Sequence, residues 1–235
     1  MFERLDAAAR LLWGRGFTAA LIVLTMWLPG NLLLNYLTLS LGWEETSARL
    51  LVVALAYDLL AAPLVVGALY VLLRASLYGG KTGYRGAMSV AVARYGLLFA
   101  NRLIVQILVG AGLLLFIVPG LILMSRWALA DAAVVFEAAV PSQARARSVS
   151  LTEGSRAEIL LAWQLPVMAI WGLSWWVGIR FGESLDASWW VAALADCVWD
   201  LLLAFPVALL FIYYAQARVR EMAIAGRAAA LEESP

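Results

Sequence analysis

Six stretches long enough and apolar enough to cross a bilayer run through this chain, and nearly all of its cationic side chains collect in the segments between them. A spanning helix needs about 20 mostly apolar residues. The stretches extend from about Phe17 to Leu41, Ala48 to Leu73, Phe99 to Val118, Leu121 to Ala139, Glu158 to Ile179 and Ser188 to Tyr214. In lipid every backbone polar group must be satisfied internally, so the expectation is an all-α polytopic membrane protein with six transmembrane helices. Composition agrees, with 64% apolar and 14% charged residues, where a soluble domain carries about a quarter charged residues. A single integral membrane domain is predicted over residues 1–225, with a short polar tail over 226–235.

The placement of charge predicts orientation. Arg4, Arg10 and Arg15 precede the first span; Arg74, Lys81, Arg85, Arg94 and Arg102 fall between the second and third. Arg145, Arg147 and Arg156 fall between the fourth and fifth, and Arg218, Arg220 and Arg227 follow the sixth. The opposite loops hold only Arg49 and Arg180, beside Glu44, Glu45, Glu183 and Asp186. That bias puts both termini in the cytoplasm. Arg126 is left as the one basic residue inside a span. The segment before the first span has no small-residue cleavage site, so no removed signal peptide is expected.

The chain has no histidine and one cysteine, Cys197. Histidine-based acid/base catalysis, Ser-His-Asp triads and the usual zinc sites are therefore excluded. Neither a metal nor another cofactor is expected, and a net charge of +1 gives no reason to expect nucleic acid.

Each pair of spans is preceded by a segment too polar to cross. Phe2, Leu5, Ala9 and Leu12 share a face of the first; Tyr84, Met88, Ala91 and Tyr95 share a face of the second; Pro141 to Leu151 reads as a short helix. Basic amphipathic helices of this kind lie in the headgroup layer. The pattern predicts an amphipathic interfacial elbow followed by a two-span hairpin, three times over, at about residues 1–75, 82–140 and 141–215. Ser155 and Glu158 are spaced as a capping box for the fifth span. Val118-Pro119-Gly120 is read as the turn joining the third and fourth.

The run Phe116-Ile117-Val118-Pro119-Gly120-Leu121-Ile122-Leu123-Met124-Ser125-Arg126-Trp127, then Ala132 to Glu137, then Ala144 to Gly154, carries a further pattern. Its marks are Pro119 and Gly120 at a break, Arg126 and Trp127 as an aromatic-basic step, Glu137 closing a span, and a short helix with Ser148 and Leu151 ending at Gly154. It resembles the membrane domain of glycerophosphoryl diester phosphodiesterases and small stand-alone bacterial inner-membrane proteins of the same pattern. The resemblance implies six spans and a cytoplasmic (inner) membrane location. It implies no diesterase activity, which belongs to a separate soluble domain.

Polar side chains inside spans are costly and usually face the bundle interior. Asn31 and Asn35 in the first span, Asp58 in the second, Arg126 and Asp131 in the fourth, and Asp196 and Asp200 in the sixth are expected to form one polar layer, with Arg126 paired to Asp196. Such a layer serves either as a packing clasp or as a site for a cation, a proton or a headgroup. Trp43, Trp175, Trp176, Trp189 and Trp190 read as an aromatic belt. The expected function is that of a non-enzymatic bacterial inner-membrane protein, structural or accessory, binding membrane lipids or a protein. The alternatives are a small transporter or channel using the aspartates, or a membrane-embedded lipid-modifying enzyme.

Overall fold

The computed structural model describes residues 2–44, 46–185 and 188–232; Glu45, Asp186 and tail residues 233–235 lie outside the described residues. The elements are α1 (Phe2–Trp13), α2 (Gly16–Asn35) continued by a π-turn over Tyr36–Ser40, α3 (Ala48–Leu77), α4 (Tyr84–Ala93) and α5 (Tyr95–Leu115). They are followed by α6 (Ile117–Trp127), α7 (Ala130–Glu137), α8 (Pro141–Leu151), α9 (Arg156–Leu185) and α10 (Trp189–Glu232). Six helical stretches are long and apolar enough to cross a membrane: α2 with its π-turn, α3, α5, α6 with α7, α9 and α10. The molecule is an all-α, multi-pass membrane protein.

A short helix stands before each pair of long ones. α1 docks through Leu5, Ala8 and Leu12, so Ala8 takes the buried position and Ala9 faces outward. α4 docks through Ala87 and Ala91 onto α3, where Gly67 leaves room; a Cβ there would meet the Ala91 Cβ at 3.3 Å and Leu98 Cδ1 at 2.8 Å. α8 is built more deeply into the bundle. Its Ala144, Ser148 and Leu151, spaced along one face, are buried against α5, α6 and α7.

The third and fourth spans turn earlier than the sequence suggests. Phe116 alone adopts an extended conformation (φ −156°, ψ 132°), and α6 starts at Ile117. Pro119 and Gly120 lie in the first turn of α6, where a missing N–H costs no helical hydrogen bond. Gly120 serves packing: a Cβ on it would fall 2.4 Å from Leu113 Cγ and 2.7 Å from the Leu113 amide nitrogen. Gly112 faces it, so the hairpin closes backbone to backbone.

The fourth span is not continuous. α6 ends at Trp127 and α7 begins at Ala130. Freed backbone groups in lipid need partners, and Ser148 supplies them. Its hydroxyl donates to the Arg126 carbonyl at 2.8 Å and accepts from the Leu129 amide at 3.1 Å. The α2 helix is eased in a similar way at Pro29. The Tyr57 hydroxyl of α3 donates to the Met26 carbonyl, and its ring lies where a Cβ on Gly30 would be.

Arginines gather the helix ends at one end of the bundle. Arg4 of α1 hydrogen-bonds Gln216 of α10 at 2.7 Å, pairs with Glu158 of α9 and stacks over Tyr213. Glu158 is thus engaged by α1, while the Ser155 hydroxyl turns to Thr152 O, in place of the expected capping box. Arg15 donates to the carbonyls of Thr82 and Gly80 between α3 and α4. The half of α9 away from the arginine-rich end, with Trp171, Trp175 and Trp176, is exposed almost all round, as a lipid-facing helix would be. α10 runs unbroken past the expected domain end at residue 225, to Glu232.

Candidate functional site

The intramembrane polar residues are hydrogen-bonded in three groups, and Arg126 joins none of them. The first joins α2 to α10. Asn31 Nδ2 donates to Asp200 Oδ2 at 2.7 Å, and Asn35 Nδ2 donates to Asp196 Oδ2 at 2.7 Å. Residues four apart lie on one helix face, so the two pairs make two rungs of a ladder. Asn31 is buried, its amide also lying 3.5 Å from Cys197 Sγ. Asp196, one turn closer to the start of α10, is exposed rather than turned inward. The second group is Asp58 of α3 with Gln106 of α5, whose amide donates at 3.0 Å.

The third group lies between α5 and α7. Asn101 Nδ2 donates to Asp131 Oδ1 at 2.8 Å, and Arg102 Nη1 stands 3.9 Å from Asp131 Oδ2. Arg102, counted above with the loop cations although the third stretch opens at Phe99, is a second cation inside a span. Asp131 sits in the first turn of α7, where the helix dipole favours a negative charge. Arg126 does not meet Asp196. Among the described residues it forms no ion pair, and its Nε is buried without a hydrogen-bond partner. The reason is geometric. With the turn at Phe116, Arg126 lies about 15 Å along α6 rather than close to its start, and α6 packs on α5, α8 and α9.

A cleft of about 310 Å³ opens beside the third group. Its polar end holds Asn101, Arg102 and Asp131, and its walls include Val66, Val105 and Leu210. Two buried atoms here lack partners, Asn101 Oδ1 and Arg102 Nε. Each such group carries a desolvation cost of about 1–3 kcal/mol or more. Asn101, Arg102 and Gln106 were missing from the sequence-based site. The available signal was three polar residues within six positions of an otherwise apolar helix.

At the basic end, Arg147 of α8 ties α7 to α10. Its Nε donates to Glu137 Oε2 at 2.9 Å and its Nη1 to Glu221 Oε1 at 2.5 Å. Tyr214 adds a hydroxyl to Glu137 at 2.8 Å, and Arg218 bonds Glu221 at 2.7 Å. The Glu221 hydrogen bonds, and then Glu137, hold the Arg147 guanidinium above its ordinary pKa despite partial burial. The residues carrying the family-like pattern thus have structural work. Gly120 closes a hairpin, Ser148 patches a break, Glu137 anchors Arg147, Leu151 is buried, and Gly154 takes a left-handed turn at φ 76°. Trp127 lines the cleft. A separate groove of about 330 Å³ is lined by Arg10, Arg15 and Lys81 with the backbone of Gly79 and Gly80.

Compared with protein-family models, curated proteins and solved structures, the chain finds no match.

Proposed function

We propose that the protein is a non-enzymatic component of the bacterial cytoplasmic membrane that holds lipid, with both termini in the cytoplasm. The reading rests above all on the basic groove between the α1–α2 turn and the α3–α4 segment, whose lining contains three cations and no acidic residue. Arg10 spends part of its charge on Asp6, one turn away and exposed. Arg15 is held by backbone carbonyls, and Lys81 adds a third cation. Cationic side chains beside spans attract anionic headgroups by about 1 kcal/mol each. The similarity of residues 116–154 to the membrane domain of glycerophosphoryl diester phosphodiesterases supports the same membrane setting. The test is thermal unfolding in nanodiscs of phosphatidylglycerol against phosphatidylcholine. Phosphatidylglycerol should stabilise the protein, the gain should shrink with salt, and Arg10→Gln with Lys81→Gln should reduce it. Equal stability in both lipids would refute the reading.

A second reading, a small transporter or channel, is favoured by the break between α6 and α7 next to Asp131. Broken helices of this kind often mark transport sites. Proton flux into proteoliposomes that is lost in Asp131→Asn would establish it.

A further inference from the structure

We infer that the cleft between α3, α5, α6–α7, α9 and α10 is a binding site for a zwitterionic phospholipid headgroup of the phosphoethanolamine type; the inference deepens the lipid-holding reading and rests on it. The cleft presents one cation and one anion side by side, Arg102 and Asp131, 3.9 Å apart. That separation is an ion pair without a hydrogen bond, so most of the five guanidinium donors of Arg102 remain unspent. Asp131 is secured by Asn101 through Oδ1, which leaves Oδ2 to accept from a ligand. Asn101 is 1% exposed and its Oδ1 has no partner.

The donor and acceptor sets therefore match a ligand that carries both charges. A phosphate diester takes the fork of Arg102. An ammonium two carbons away takes Asp131 Oδ2 and Asn101 Oδ1. A headgroup with phosphate alone brings its charge beside the Asp131 carboxylate with only Arg102, already facing that carboxylate, to offset the repulsion. The remaining wall is largely apolar despite Gln106 and Ser125, with Val66, Val105 and Leu210 suited to acyl chains. Arg102 stands seven residues into α5, and Asp131 six residues before the end of α7. Both levels are about 10 Å along their helices from the basic end, within reach of a lipid drawn sideways from that leaflet.

The experiment uses the full chain in detergent with dioctanoyl phosphatidylethanolamine, dioctanoyl phosphatidylglycerol and free phosphoethanolamine, read by native mass spectrometry. The wild type should bind the phosphatidylethanolamine at least about tenfold more tightly than the phosphatidylglycerol, the ratio set by one charge-assisted contact. Asp131→Asn should abolish that preference, Arg102→Gln should weaken both lipids, and Val105→Trp should exclude both by filling the cleft. Thermal melts identify any variant that fails to fold, and Val105→Trp alters no charge. Equal binding of the two lipids by the wild type, or a preference that survives Asp131→Asn, overturns the inference. Equally tight binding of free phosphoethanolamine overturns the lipid as ligand. If phosphatidylglycerol still stabilises the protein through Arg10 and Lys81, the broader lipid-holding reading stands without this site.

Discussion

Asn31 of α2 donates its side-chain amide to the Asp200 carboxylate of α10 at 2.7 Å, and one turn further out Asn35 repeats the contact with Asp196. Two neutral donors meet two acidic groups across a closely packed helix pair. A packing clasp explains the first polar group without invoking the arginine that the sequence suggested.

A double-mutant cycle of Asn31→Ala with Asp200→Ala should give a coupling of about 0.6–2 kcal/mol, the range for hydrogen bonds between membrane helices. Denaturation in bicelles measures it. Independent effects of the two substitutions would show that the rung contributes nothing.

Ser148→Ala should leave both the Leu129 amide and the Arg126 carbonyl without a partner. The expected destabilisation is about 1–3 kcal/mol, with faster hydrogen exchange at Leu129. Ser148→Ala with unchanged exchange would mean that the break is patched by something else.

At the α5–α6 hairpin, Gly120→Ala should be far more damaging than Pro119→Ala. The added Cβ meets Leu113 backbone, and forced overpacking costs typically 1–3 kcal/mol, roughly. Pro119 occupies a first-turn position where alanine fits equally well. Thermal melts of the two variants compare them, and the reverse ranking would put the break at Pro119.

The six spans and the three short helices were legible because apolar length and helical spacing are local properties. The fourth span was harder. Nothing in the apolar run Leu121 to Ala139 announces the interruption at Ala128 and Leu129, which exists because Ser148, some twenty residues later, can satisfy it. The polar site was half legible. Asn31, Asn35, Asp196 and Asp200 show helical spacing, but their partnership depends on how α2 and α10 face each other. The expected pairing of Arg126 with Asp196 fails because it takes the fourth span to open at Leu121, whereas α6 opens four residues earlier, at Ile117. Arg102 stands seven residues into α5, inside the apolar run that opens at Phe99, so it belongs to the span rather than with the loop cations.

A cytoplasmic arginine-rich end of the bundle is the central expectation, and the side reached by a membrane-impermeant maleimide tests it most directly. In a Cys197→Ser background, Ser184→Cys at the end of α9 should label in intact cells. Ser142→Cys in α8 should label only after the membrane is opened. Labelling of Ser142→Cys from the periplasm, with Ser184→Cys protected, would contradict the account.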